Sequence, residues 1–214
     1  KALTMLPGLP AEPAVLDVGC GSGAQTLELA RCTAGHITAV DIFPSFLKTL
    51  EKRAEIEGFS DRITTQVASM NDLPFPQQSF DLIWSEGAIY IMGFEAGLRA
   101  WKPFLRPEGM VVVSELSWFT PTPSPALRAF WGAEYPDMYD ISANLERIRR
   151  AGYQPVGHFH LPAEAWWDNY YGPMERCCKE WEDTYASNDE VMAFLQIQLA
   201  ELELFRRHSD EYGY

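Results

Sequence analysis

The stretch VLDVGCGSGA, residues 15–24, joins a short apolar run to the start of an amphipathic segment through three glycines. The run 14–18 has the pattern of a buried strand, and residues 22–32 show apolar positions at helical spacing. Glycines at a strand-to-helix turn permit backbone conformations that other residues avoid, and they let a ligand approach the main chain. The N–H groups at the helix start face that ligand. We therefore predict a ligand-binding loop at residues 19–23.

Outward from this loop, the same strand-then-helix rhythm continues to residue 115. The predicted strands are 14–18, 36–41, 63–67, 80–84 and 110–115, and the predicted helices are 22–32, 45–57 and 95–104, the last ended by a turn at 106–109. This alternation implies right-handed crossovers and a mostly parallel sheet with helices on both faces, which is an α/β fold. The near-continuous apolar character of the strand 110–115 predicts full burial.

The rhythm changes after Glu115. We predict a Pro-rich connection at 120–125, a helix at 144–151, a strand at 153–161 and a helical region from about 174 to 208. The connection is too short to separate domains, so we predict a single domain over 1–214, with a core at 10–118 and a helical C-terminal insertion within 119–214.

Composition excludes several classes of protein. The 214 residues are 47% hydrophobic and carry a net charge of −13, which argues against a disordered chain and against nucleic acid as the main partner. No apolar run approaches the roughly 20 residues of a membrane span. The four cysteines match neither a disulfide framework nor a zinc site, and no metal-ligand cluster is visible, so we expect reduced thiols in a cytoplasmic protein and no metal.

Asp41 ends the second predicted strand, 22 residues after Gly19. An acidic residue at this place can accept hydrogen bonds from ribose hydroxyls. Two classes of cofactor fit the loop and this acid. A dinucleotide fits because Gly19, Gly21 and Ala24 satisfy a relaxed fingerprint, and S-adenosylmethionine fits because it carries adenine and ribose. A purely structural tight turn is the third reading.

Four elements in order resemble one family. They are the loop 17–23, Asp41, the stretch LPFPQQSFDLI at 73–83, and the turn RPEG at 106–109. Together they resemble class I S-adenosylmethionine-dependent methyltransferases, in the small-molecule branch of the quinone-biosynthesis and sterol-type enzymes. The resemblance covers roughly residues 10–118 and implies a Rossmann-like fold. It also implies that Tyr212–Tyr214 begins an antiparallel strand that finishes the sheet, and that the fold extends past both ends of this chain.

The resemblance implies a set of cofactor-binding residues. Asp17 would orient the loop near the methionine amino group, the loop itself would line the methionine and ribose, Asp41 would hold the ribose, and Ser85 would lie beside the methionine. Ile42 or Phe43 would contact the adenine. Ser69 departs from the acidic residue of many relatives, which leaves the adenine amine to Asn71 or to the Met70 backbone. The full set is Asp17, Gly19, Cys20, Gly21, Gly23, Asp41, Ile42, Phe43, Ser69, Met70, Asn71 and Ser85.

The segments after the fourth and fifth strands are expected on the acceptor side, because ligands bind outside the carboxyl ends of parallel strands. Glu86, Glu115 and Tyr90 are the candidate catalytic residues there, with the glutamates able to remove a proton or to attract an amine. Alternatively, Glu86 contacts the cofactor and Glu115 forms hydrogen bonds within the loops. The aromatic residues after Glu115 could wall an acceptor or simply pack a core. They are Trp118, Phe119, Trp131, Trp166, Trp167, Tyr170 and Tyr171.

The function expected is transfer of a methyl group from S-adenosylmethionine to an aromatic, apolar or cationic small molecule, with S-adenosylhomocysteine as the product. Two alternatives stay open: an NAD-dependent oxidoreductase, and an S-adenosylmethionine-binding protein without catalysis. The sequence leaves the acceptor and the oligomeric state open, because acceptor specificity sits on loops grafted onto a shared fold.

Overall fold

The chain divides into two compact units in the computed structural model, which describes all 214 residues. The sheet unit comprises residues 1–115 and 145–157, and the helical unit comprises residues 116–144 and 158–214. None of the helices combines the length and the apolar character that crossing a bilayer requires.

Five parallel strands form the sheet unit's centre. They are β1 (Ala14–Val18), β2 (His36–Asp41), β3 (Ile63–Val67), β4 (Phe80–Ser85) and β5 (Leu105–Val113), in the order β3-β2-β1-β4-β5. The chain leaves β3 on one side of β1 and resumes in β4 on the other, so the strand order reverses at β1. The carboxyl ends of β1 and β4 flank this reversal, which is where open α/β sheets bind ligands.

Helices cover both faces of this sheet. The helices of the whole chain are α1 (Ala24–Cys32), α2 (Pro44–Glu57), α3 (Phe94–Trp101), α4 (Pro125–Glu134), α5 (Ile141–Arg150), α6 (Ala163–Trp166), α7 (Gly172–Thr184) and α8 (Asp189–His208). On one face, α1 and α2 pack against Val15 and Leu82. On the other face, α3 and residues 148–153 pack against Leu16 and Ile83. Successive strand residues point to opposite faces, so each strand serves both cores. The α/β, Rossmann-like fold class is confirmed.

The helical unit has a small sheet and an aromatic core. Its strands are β6 (Ser117–Trp118), β7 (Tyr139–Asp140) and β8 (Tyr212–Gly213), in the order β7-β6-β8. A π-helical stretch at Trp167–Tyr171 joins α6 to α7. The core gathers apolar and aromatic residues that the sequence places far apart, including Leu127, Trp131, Tyr171, Leu202, Phe205 and Tyr212.

Two strand predictions are wrong. Residues 153–161 are not a strand, since Pro155 has no N–H to donate to a ladder and Gly157 has no side chain to pack. Tyr212 does begin an antiparallel strand, but β8 pairs with β6 in the small sheet rather than with the five-stranded sheet. The physical reason is local burial, because Tyr212 is 1% exposed and its ring lies 6.3 Å from that of Trp118.

The fifth strand differs from its prediction in burial and in length. Residues 109–113 are half-buried, because β5 is the edge strand of this sheet. It begins at Leu105, and the predicted turn at 106–109 is an irregularity within it. Phe80 pairs with Leu105, whereas Leu82 pairs with Met110, and Glu108 takes a positive φ of 62°.

Candidate functional site

The glycine loop follows β1 directly, and its geometry requires glycine. Gly19, Gly21 and Gly23 have φ values of 72°, 54° and 85°. A Cβ on Gly19 would lie 2.5 Å from the Ala88 Cβ, so the loop after β4 approaches this backbone closely. A Cβ on Gly21 would meet nothing within 4 Å. The main chain at Gly21 therefore faces open space, which is what a ligand-binding loop needs.

Asp41 ties this loop to the end of β2. Its carboxylate accepts hydrogen bonds from the Gly21 N–H at 2.9 Å and from the Phe43 N–H at 2.9 Å, one on each oxygen. The Gly19 and Cys20 N–H groups donate to the Val40 carbonyl at 2.8 and 3.0 Å. Each carboxylate oxygen keeps a further lone pair, so Asp41 can also accept from hydroxyl groups.

Asp17 is 1% exposed in the middle of the sheet's carboxyl end. Burial raises the pKa of Asp17 from 3.8 to about 7, and the negative charges of Glu86 and Asp41 add to the effect. The Thr26 hydroxyl donates to Asp17 at 2.6 Å and opposes the rise. A buried carboxyl with a strongly perturbed pKa beside an open loop is typical of a functional site.

Ser85 and Glu86 leave β4 at the same end. Ser85 is the last residue of β4 rather than the one after it, and its hydroxyl donates to the Val18 carbonyl at 2.8 Å. Burial raises the pKa of Glu86, whereas hydrogen bonds from Trp84 and Gln25 oppose this. The Trp84 indole donates to Glu86 at 2.8 Å. The structure thus gathers Asp17, Asp41 and Glu86 around one loop.

The other two catalytic candidates belong to the segments that follow β4 and β5. Tyr90 is 43% exposed on a 3₁₀ turn, Ile89–Met92, and Glu115 is 9% exposed two residues past β5. The loops after β4 and β5 are joined by a hydrogen bond from the Gly87 N–H to the Ser114 hydroxyl at 2.8 Å.

The adenine-side candidates separate into two groups. Ile42 and Phe43 are 59% and 58% exposed directly after Asp41, so apolar surface is available there. Met70 is half-buried, its carbonyl accepts from the Trp101 indole at 3.0 Å, and its methyl lies 3.6 Å from the position of a Gly19 Cβ. Asn71 is exposed, and its N–H donates to the Ser69 hydroxyl at 3.3 Å.

The aromatic candidates after Glu115 pack mostly with one another. Trp131 and Tyr171 are buried, Trp118, Trp166 and Trp167 are half-buried in the same core, and Tyr170 is 43% exposed. Phe119 stacks on His160, with 3.9 Å between ring centroids. No group of three or more His, Cys, Asp or Glu side chains is arranged to hold a metal ion.

Residues 15–109 match the sequence model of the family described as "Methyltransferase domain". Over this part the chain is similar to methyltransferase domains. The match spans β1 to the start of β5, and it contains the glycine loop, Asp41 and Glu86. The resemblance inferred from the loop and its downstream motifs is confirmed.

Individual proteins show the same likeness. A 27-O-demethylrifamycin SV methyltransferase of Amycolatopsis mediterranei is 28% identical over 149 residues, which are 69% of this chain and 48% of that protein. Phosphoethanolamine N-methyltransferase 1 of Arabidopsis thaliana is 29% identical over 143 residues, which are 66% of this chain and 29% of that protein. The chain thus spans less than half the length of these curated relatives.

A solved structure extends the likeness in fold beyond the matched domain. The crystal structure of a SAM-dependent methyltransferase from Geobacter sulfurreducens, in complex with S-adenosyl-L-homocysteine, superposes with a TM-score of 0.80 at 22% identity. It covers 99% of this chain and 85% of that one. At this identity the likeness shows the fold.

Sequence reasoning missed two side chains that hold the candidate site together. Thr26 binds Asp17, and Gln25 is a hydrogen-bond partner of Glu86. Both belong to the first turn of α1, directly after the glycine loop. Side chains in the first turn of such a helix face the carboxyl end of the preceding strand. Polar residues at these positions are therefore a sequence signal for side chains that contact the site.

Proposed function

We propose that this chain transfers a methyl group from S-adenosylmethionine to a small-molecule acceptor and releases S-adenosylhomocysteine. The observation that carries the proposal is the Asp41 carboxylate, fixed to the glycine loop at Gly21 within the part of the chain that is similar to methyltransferase domains. The complex of the Geobacter sulfurreducens protein with S-adenosyl-L-homocysteine supports the choice of cofactor over a dinucleotide.

The residues around the loop fit this cofactor. The open backbone at Gly21 gives room for it, and the free lone pairs of Asp41 suit ribose hydroxyls. The exposed Ile42 and Phe43 offer apolar surface for the adenine. For the adenine amine we propose Asn71, whose exposed side chain carries a carbonyl oxygen that can accept a hydrogen bond.

The carboxylates of Asp17, Asp41 and Glu86 give the site a negative potential that attracts a cation. When bound, S-adenosylmethionine supplies an activated methyl group on a positively charged sulfur. The protein's part is then to align the acceptor, exclude water and, where the acceptor carries a proton, remove it. Glu86 suits that last task, because its raised pKa brings it closer to the working pH of a general base.

Calorimetric titration of the full chain with S-adenosylhomocysteine and, separately, with NAD tests the cofactor. We expect binding of the first only. Asp41→Ala removes an acceptor of charge-assisted hydrogen bonds and should weaken that binding about 10- to 100-fold. Asp61→Asn, an exposed acid outside the loop, is the control. Binding of NAD alone would establish the oxidoreductase alternative, and an unchanged affinity in Asp41→Ala would refute the proposed ribose contact.

Incubation with methyl-labelled cofactor and a metabolite extract tests the acceptor. Label in the low-molecular-weight fraction is the expected result, whereas label on protein would contradict a small-molecule acceptor. Cofactor binding with no transfer would make this a binding protein.

On the acceptor identified, Glu86→Gln should lower kcat about 100-fold if Glu86 removes a proton, with exposed Glu55→Gln as control. Unchanged turnover would exclude Glu86, and Tyr90→Phe and Glu115→Gln test the two remaining candidates in the same assay.

The proposal includes no role for nucleic acid, which the net charge of −13 disfavours. The cytoplasmic location and the single-domain organisation expected from the sequence stay predictions.

A further inference from the structure

The Thr26 hydroxyl donates to a group outside its own helix, unlike the hydroxyls of the other helical threonines. Thr49 of α2 and Thr184 of α7 each donate to the carbonyl of the residue four positions earlier, at 3.0 and 2.8 Å. This is the common local bond of a threonine within a helix. Thr26, in the first turn of α1, donates instead to the Asp17 carboxylate of β1 at 2.6 Å. The Thr26 hydroxyl therefore serves Asp17 rather than its helix.

The contact between Thr26 and Asp17 is enclosed, since the two residues are 0% and 1% exposed. Thr26 is the only hydrogen-bond donor that the chain presents to Asp17, and it occupies one oxygen, Oδ2. The second carboxylate oxygen receives no hydrogen bond from the chain. A buried ionised carboxylate is normally stabilised by a cation or by several donors. Asp17 has one donor, so its charge is only partly compensated in the free protein.

The titratable groups around Asp17 add negative charge or none. They are Glu86 after β4, Asp41 at the end of β2, and the Cys20 thiol in the glycine loop. Burial and the two acids favour the neutral form of Asp17, whereas the Thr26 hydroxyl favours the carboxylate. No Lys or Arg side chain contributes to lowering the pKa of Asp17. A compensating cation would therefore have to come from a ligand.

We propose that Thr26 is a positioning residue for cofactor binding, whose hydroxyl holds one oxygen of the Asp17 carboxylate and leaves the other for the ammonium group of S-adenosylmethionine. This role rests on the proposed function. The ammonium group supplies the donors and the positive charge that the chain does not provide. Because burial raises the pKa of Asp17 to about 7, the carboxylate predominates only above neutral pH. Cofactor affinity should therefore rise with pH up to about 7 and then level off.

Thr26→Val tests this role, because it nearly keeps the shape of the side chain and removes the donor. The midpoint of the affinity profile should move up by about one to two pH units, the usual effect of losing a hydrogen bond to a charged group. Calorimetric titration of the full chain with S-adenosylhomocysteine should then show affinity about 5- to 50-fold weaker than that of the parent at pH 7, and at most about 4-fold weaker at pH 8.5. The ligand's own titration cancels in this ratio, because parent and variant bind the same ligand.

A second ligand and two further variants serve as controls. Methylthioadenosine carries adenine and ribose but no ammonium group, so its affinity should be the same in the parent and in Thr26→Val at both pH values. Thr26→Ser restores the hydroxyl and should return the S-adenosylhomocysteine profile to that of the parent. Thr49→Val removes the hydroxyl of an exposed helical threonine and should leave the binding of both ligands unchanged.

A role in packing alone would give a different result. Loss of packing would weaken both ligands at every pH and would leave the midpoint in place. Asp17→Asn removes the titrating group and should flatten the profile, and adding Thr26→Val to it should leave the profile flat. An unshifted midpoint in Thr26→Val, equal weakening of both ligands, or failure of Thr26→Ser to restore the profile would overturn the role of Thr26 alone. If the parent binds neither ligand, the proposed function fails as well.

Discussion

Asp17→Asn should stabilise the protein at alkaline pH, and it should do so in a pH-dependent way. Burial raises the pKa of Asp17 from 3.8 to about 7, so the folded protein holds this proton more tightly than the unfolded chain does. The free energy of unfolding therefore falls as pH rises from about 4 to about 7, and the full penalty is present above pH 7. At about 1.4 kcal/mol per pKa unit the penalty has an upper bound of about 4 kcal/mol, and relaxation around a buried charge lowers it. We expect a gain of about 2–4 kcal/mol at pH 8 and no more than about 1 kcal/mol at pH 4.5.

The Asn substitution isolates the charge, because its amide oxygen can still accept the hydrogen bond from Thr26. Native-state hydrogen exchange of the β1 amides reports on the sheet unit alone, and urea unfolding followed by circular dichroism gives the global value. Asp61→Asn, which changes an exposed carboxylate, should shift neither measurement by more than about 0.5 kcal/mol. Equal stabilisation at pH 4.5 and pH 8, or none at either, would refute the reasoning that ionised Asp17 opposes folding. The same variant should bind S-adenosylmethionine more weakly, because a carboxylate that costs stability in the free protein gains a cationic partner in the complex.

Three further predictions concern local features. In Gly23→Ala, the new Cβ would lie 2.2 Å from a leucine methyl of α2 at a residue with a φ of 85°. This variant should therefore lose at least about 2 kcal/mol more folding free energy than Gly21→Ala, where the space is open. Equal melting temperatures of the two variants would contradict this. Asn188→Ala removes the cap that accepts from two N–H groups at the start of α8, and urea unfolding should show a loss of about 1 kcal/mol. Iodoacetamide should modify the exposed Cys32 and spare the buried Cys20, whose pKa burial raises; peptide mass spectrometry that finds both modified at equal rates would refute it.

The sheet unit was predictable because its signals are local. Strand β1 and the loop at Gly19–Gly23 are formed by contiguous residues with a recognisable pattern. All five parallel strands overlap their predicted ranges. The acid Asp41 follows from the same local pattern, since it needs only the end of the next strand. Resemblance to a family then added the downstream motifs.

The rest depended on contacts that sequence patterns do not encode. β8 is two residues long, and only the burial of Tyr212 among distant aromatics determines its partner strand. The edge position of β5 is likewise a property of the strand order, which apolar composition does not report. The hydrogen bond from Thr26 to Asp17 requires knowing that α1 turns its first residues back toward β1.

The discontinuity of the sheet unit has a consequence for synthesis on the ribosome. Ile148, Ala151 and Tyr153 complete the core beneath α3, yet 29 residues of the helical unit, 116–144, are translated before them. All five strands can therefore leave the exit tunnel while one face of their sheet still lacks part of its cover. A nascent chain paused before residue 145 would expose that apolar face, which is the kind of surface that chaperones bind. The chain also crosses between its units three times, so no single cut releases either unit intact.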